Sequence, residues 1–127
     1  MKNTTFSRVK NYIFRNFKIL YRKNKYKKMG FKFLEPNYIF LDLFDKDSTI
    51  IDVGCGYEAE FSIHVIQNYN SKCVLVDPTK KHAPFLHKIV NKYDKNLSYL
   101  QCAISARDGE INFFEPKNRE SGSIMSN

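Results

Sequence analysis

A chain of 127 residues and 15.0 kDa has the mass of one ordinary domain, which excludes a multidomain organisation unless the pieces are very small. Hydrophobic residues at 43% and aromatics at 15%, against 5 Gly and 4 Pro, exclude a disordered or collagen-like polymer and call for a packed interior. The formal charge of +8 is polarised: up to Leu34 there are 11 basic residues and no acid, leaving 10 basic against 13 acidic afterwards, so the two parts carry +11 and −3.

Residues 1–34 therefore read as a basic arm, and 35–127 as the domain. Phe6, Val9, Ile13, Phe17 and Leu20 recur at spacings of 3, 4, 4 and 3, a helical stripe that Thr4, Thr5 or Ser7 can cap. It runs into Arg22, Lys23, Lys25, Lys27 and Lys28, interleaved with Tyr21 and Tyr26. The plainest expectation is a solvated helix whose apolar stripe docks on the domain behind it. An anionic membrane surface and nucleic acid are the alternative partners for such a charge run. Arg15, Asn16 and Lys18 interrupt the apolar residues too often for a secretory or membrane-spanning segment.

After Gly30, the alternation of Phe31 and Phe33 predicts a short extended segment, and Glu35-Pro36 predicts a helix over 36–44 with proline in its first turn. Asp45-Lys46-Asp47-Ser48 reads as a turn. Thr49 to Val53 is a β-branched apolar run ending at Gly54-Cys55-Gly56, the pattern of a buried parallel strand that stops at a tight loop. A helix is expected over 59–69, with Ile63 and Ile66 on one face. Cys73 to Val76 reads as a second buried strand closed by Asp77-Pro78. Residues 84–93 form a second helix with Leu86, Ile89, Val90 and Tyr93 inward, and 97–103 a third strand. Asp108-Gly109 is a turn before a short strand over 111–114. This βαβαβ alternation is that of an α/β fold with an open parallel sheet. Cys55, Cys73 and Cys102 are odd in number and lack C-x-x-C spacing, which points to free thiols in a reducing cytosol rather than to a disulfide framework or zinc.

In an open parallel sheet, ligands bind outside the carboxyl ends of the strands. Gly54 and Gly56 allow a sharp bend and close approach of a ligand, and Asp77, 25 residues after Asp52, stands where a carboxylate can accept hydrogen bonds from both hydroxyls of a ribose. Together they predict a nucleoside-containing cofactor. A dinucleotide loop wants G-x-G-x-x-G, but Ala59 holds the third glycine position and Glu58 and Glu60 would repel pyrophosphate. Those acids suit the ammonium and sulfonium of S-adenosylmethionine (SAM), which is favoured over NAD on charge.

Ile50-Ile51-Asp52-Val53-Gly54-Cys55-Gly56 resembles motif I of class I SAM-dependent methyltransferases, and the continuation resembles the FkbM family. The stretches that carry this are Phe61-Ser62-Ile63-His64, Val76-Asp77-Pro78-Thr79, Ala103-Ile104-Ser105, Asp108-Gly109-Glu110 and Phe113, over about residues 36 to 124. The resemblance implies a Rossmann-like sheet and O-methylation of a hydroxyl on a sugar, lipid-linked or secondary-metabolite acceptor. It implies that Asp52 and Gly54, Cys55 and Gly56 border the methionine end of SAM, that Asp77, followed by Pro78, holds the ribose, and that Cys102, Ala103 and Ile104 lie near the adenine. Glu58, where many methyltransferases have another glycine, would pair with the ligand's ammonium.

The family's next strand should follow Met125, whereas the sequence stops at Asn127, so the sheet is expected to be incomplete relative to the usual seven strands. The expectation is either a truncated product or a shortened domain that binds cofactor without doing chemistry alone. An incomplete parallel sheet would leave an apolar edge exposed and favour an oligomer. His64, His82 and His87 are expected on the surface or as caps rather than as ligands. Phe113 and Phe114 are expected in the core, and the residues offer no catalytic base for the acceptor hydroxyl.

Overall fold

The computed structural model describes residues 4–34, 38–115 and 122–124; in the first helix, the side chains of Tyr12, Phe14 and the residues from Asn16 onward are described. The expected caps Thr4, Thr5 and Ser7 lie outside the described side chains. The chain divides into two compact units, Met1–Leu43 and Phe44–Asn127.

In the first unit, helix α1 spans Thr4–Lys28, longer than its apolar stripe, and takes in the whole basic run. Lys25, Lys27 and Lys28 occupy its last turn, where the negative end of the helix dipole favours cations. Strands β1, Phe31–Leu34, and β2, Tyr38–Leu41, follow and pair antiparallel, with Phe33 opposite Ile39 and Phe31 opposite Leu41. The helix expected over 36–44 is therefore corrected to a strand at Tyr38–Leu41 followed by irregular backbone over 42–44; residues 36 and 37 lie outside the described residues. The physical reason is that Tyr38-Ile39-Phe40-Leu41 has strand-favouring side chains and alternates between half-buried or buried Tyr38 and Phe40 and exposed Ile39 and Leu41. Lys23 lies 5.8 Å from the Phe33 ring centroid, and Lys32 pairs with Asp42 at 2.7 Å within the same unit.

The second unit opens on the expected turn, in which Asp45 Oδ1 accepts from the Asp47 N–H and the Ser48 hydroxyl. It then runs β3 (Thr49–Val53), α2 (Glu60–Tyr69), β4 (Lys72–Val76), α3 (Ala83–Lys92) and β5 (Leu97–Leu100). The three strands form one parallel sheet in the order β3-β4-β5, with Val53 beside Val76 and Val76 beside Leu100. Strand β5 stops three residues short of the expected Ala103. The expected strand over 111–114 is reduced to β6, Phe113–Phe114, which pairs not with the main sheet but with β7, Ser123–Ile124.

Alternation along the strands decides where the core lies. Cys73, Leu75 and Leu97 point to the face that carries both helices and form one cluster with Val65 and Ile66 from α2 and Leu86 from α3. Ile89, Val90 and Tyr93 pack against that cluster as expected, but the buried face of α2 is Ser62, Val65 and Ile66, with Ile63 only half-buried. The opposite face of the sheet is less covered: Ile51 is 64% exposed, Val53 59% and Leu100 53%. The described part is α/β with a short parallel sheet, compatible with part of a Rossmann-like fold.

Candidate functional site

Hydrogen bonds tie the carboxyl ends of all three parallel strands together. The Gly54 N–H donates to the Val76 carbonyl at 2.7 Å, the Asp77 N–H to the Leu100 carbonyl at 3.3 Å, and the Tyr99 hydroxyl to the Asp77 carbonyl at 3.0 Å. Gly54 and Gly56 have φ of +72° and +67°, the left-handed region that glycine enters without a Cβ penalty, and the direction in which a Cβ would stand is open at both. The bend therefore has the geometry the sequence pattern requires. Ala59, at the N-cap of α2, also adopts φ 47°, and an alanine in that region carries strain.

The carboxylate of Asp77 is 3% exposed and meets the glycine bend directly. Its Oδ2 accepts from the Gly56 N–H at 3.1 Å and lies 3.3 Å from His82 Nδ1; its Oδ1 accepts from the Thr79 N–H at 2.8 Å. Burial opposes its ionisation, but the hydrogen bonds from the Thr79 side chain and backbone and from His82 outweigh that and hold the carboxyl below the usual carboxylate range. With three or four donors around two oxygens, its acceptor capacity is largely filled from within the chain. A ribose hydroxyl would have to replace one of these donors, and the His82 contact, at 3.3 Å, is longer than those from the Gly56 and Thr79 backbone.

His82 is thus corrected from a surface or capping residue. It stands at the N-cap of α3, but its side chain makes no cap hydrogen bond; it is 5% exposed, directed to Asp77 and flanked by the Tyr57 ring at 5.8 Å. The other two histidines lie elsewhere: His64 Nδ1 is 3.3 Å from Asn68 on α2, and exposed His87 packs its ring on Tyr99.

Asp52 faces α2, where its Oδ2 accepts from the Ser62 hydroxyl at 2.7 Å and joins the strand end to the helix that follows the loop. Cys55 packs in the core cluster rather than towards the open side of the bend. Burial, aided by the Asp52 and Asp77 carboxylates, pushes its thiol up to about 12, and burial raises Cys73 to about 11, so neither is a thiolate nucleophile near neutrality. Glu58 is exposed and Pro78 half-buried in the loops flanking Asp77 and the bend. Cys102, Ala103 and Ile104 lie beyond the end of β5; Cys102 and Ile104 are exposed and Ala103 is half-buried. Phe114, expected in the core, is 59% exposed.

The structure therefore brings together Gly54, Gly56 and Asp77, places Asp52 beneath α2, and adds Ser62, Thr79, His82 and Tyr99, to none of which the sequence reading assigned a part in the site. Among the described residues, no group of three or more His, Cys, Asp or Glu is arranged to hold a metal ion, and no helix is long and apolar enough to cross a membrane. No protein-family model matches the chain, and no curated protein matches it significantly.

Proposed function

We propose that Phe44–Asn127 form the cofactor-binding part of a SAM-dependent methyltransferase of FkbM type, acting on the hydroxyl of a sugar, lipid-linked or secondary-metabolite acceptor in a reducing cytosol. The observation that carries this reading is the 3.1 Å hydrogen bond from the Gly56 N–H to Asp77 Oδ2. It supports a single site in which the glycine bend and the carboxylate of the neighbouring strand act on one ligand, at the strand ends where open α/β sheets bind nucleosides. Bound SAM would supply an electrophilic methyl group on a sulfonium. In this reading Gly54 and Gly56 admit the methionine end, exposed Glu58 meets the ammonium, Asp77 exchanges His82 for the ribose hydroxyls, and the segment from Cys102 to Ile104 borders the adenine. Asp52 orients the bend through Ser62. The chain's part is binding and orientation, which convert methyl transfer into an effectively unimolecular step.

A second reading rests on a different observation: the internal donors already around Asp77 suit a fold-locking carboxylate in a non-catalytic module. Calorimetric titration of the full chain with SAM and with S-adenosylhomocysteine separates the two. The methyltransferase reading expects binding by the parent, a loss of tenfold or more in Asp77→Asn, equivalent to about 1.4 kcal/mol, and binding at least as tight in His82→Ala, where the ribose no longer competes. Flat titrations for the parent and for His82→Ala, with both proteins folded, would establish the non-catalytic reading.

A further inference from the structure

Helix α1 presents Phe14, Phe17, Leu20 and Tyr21 to solvent at 70%, 70%, 59% and 67% exposure. At 100° per residue these four, the most exposed apolar residues between Phe14 and Lys28, fall within an arc of about 120°, while the less exposed Ile19 and Tyr26, and Tyr12 one turn earlier, lie on the other side of the helix. Exposed Lys18, Arg22 and Lys25 follow along one flank of that arc, and no acidic residue occurs anywhere in the helix. An exposed aromatic stripe whose charged neighbours are all cations has a specific physical complement, a surface that takes apolar side chains and offers negative charge at the same depth.

We propose that α1 is an interfacial helix that lies on an anionic lipid bilayer, with Phe14, Phe17, Leu20 and Tyr21 entering the boundary between headgroups and acyl chains. Lys18, Arg22 and Lys25 pair with the lipid phosphates and carboxylates. A bilayer satisfies both the stripe and the cations beside it, whereas nucleic acid satisfies only the cations and leaves four large apolar side chains in water. The helix is too polar to span, which agrees with an in-plane orientation. Tyr21 suits the edge of the stripe because its ring is apolar and its hydroxyl can remain hydrated. The proposal uses residues 12–28 alone and is independent of any cofactor bound elsewhere.

The test is co-sedimentation of the full chain with vesicles of phosphatidylcholine containing phosphatidylserine, with vesicles of phosphatidylcholine alone, and with single-stranded RNA as competitor. The expected result is salt-sensitive binding to the anionic vesicles and little to the neutral ones. Neutralising Lys18, Arg22 and Lys25 to serine should weaken it about 100-fold, since each surface cation contributes roughly a five-fold factor. The separate variant Phe14→Ser with Phe17→Ser should weaken it by about tenfold or more without altering net charge. Far-UV circular dichroism shows whether each variant keeps its helix content. Equal binding to neutral and anionic vesicles, no binding to either, or undiminished binding by the folded phenylalanine variant would overturn the proposal. RNA binding that survives the phenylalanine substitutions while vesicle binding is absent would assign the helix to nucleic acid instead.

Discussion

In Met1–Leu43 the aromatic residues Phe14, Phe17 and Tyr21 are exposed, whereas in Phe44–Asn127 the side chains of Leu75, Leu86 and Val65 are fully buried. Both units contain amphipathic helices, but α3 turns Leu86 into a cluster that also receives Cys73, Leu75 and Leu97 from the sheet, while the described apolar residues Phe14, Phe17 and Leu20 of α1 are exposed. One helical periodicity thus has two structural outcomes. In α3 it holds a fold together, and in α1 it leaves Phe14, Phe17 and Tyr21 exposed.

Substitutions in the two helices give the sharpest contrast. Leu86→Ala should cost about 2–5 kcal/mol of unfolding free energy in urea titrations, because the deleted atoms leave a cavity in a close-packed cluster. Phe17→Ala, exposed on α1, should change stability by no more than about 0.5 kcal/mol. Similar losses from both would erase the distinction between the units.

A smaller effect is expected where the second unit's site joins its scaffold. Ser62→Ala removes the hydroxyl that Asp52 accepts from and should cost about 1–3 kcal/mol in the same titrations, since it strands a half-buried charged acceptor. No change would mean that water replaces the hydroxyl and that the bend is not held from α2.

The pH dependence of the second unit follows from Asp77, whose carboxyl is held low in the fold. A carboxyl depressed on folding stabilises the protein above its unfolded value of about 3.9 and loses that contribution as pH falls through the lower folded value. Stability should therefore decline with acidification below about pH 4, and Asp77→Asn should flatten that decline relative to the parent. A parallel decline in the two proteins would show that the hydrogen bonds from Gly56, Thr79 and His82 contribute nothing differential.

The mildest probe is thiol labelling. Near pH 8, native protein should modify quickly at exposed Cys102 only, with Cys55 and Cys73 reacting at the rate of unfolding because both are buried and protonated. Rapid labelling of all three would contradict the packing of Cys55 into the core cluster.

Much of the second unit was legible in the sequence because its signals are local. The β-branched run Thr49–Val53, the apolar run before Asp77, and the spacing of Leu86, Ile89 and Val90 each fix an element without knowledge of its neighbours. The strand Tyr38–Leu41 was not legible, because its partner Phe31–Leu34 supplies the hydrogen bonds and Pro36 mimics a helix start. On α2 the expected Ile66 is buried but Ile63 is only half-buried, and Ser62, which hydropathy would place outside, is buried with its hydroxyl satisfied by Asp52. At the site, Gly54, Gly56 and Asp77 stood out by residue type, and their convergence follows from parallel strands β3 and β4 lying side by side. His82 was assigned to the surface or a cap because nothing in its neighbours along the chain marks it as buried; only the return of the chain after β4 carries it to the Asp77 carboxylate.

Amide and imidazole NMR spectra of the labelled full chain, titrated with S-adenosylhomocysteine, show whether the bend at Gly54 and Gly56 and the carboxylate of Asp77 grip one adenosyl ligand. Saturable shifts are expected at Gly54, Gly56 and Thr79, together with a change at the His82 ring as it leaves Asp77. Spectra in which these signals stay fixed at saturating ligand would contradict that shared grip.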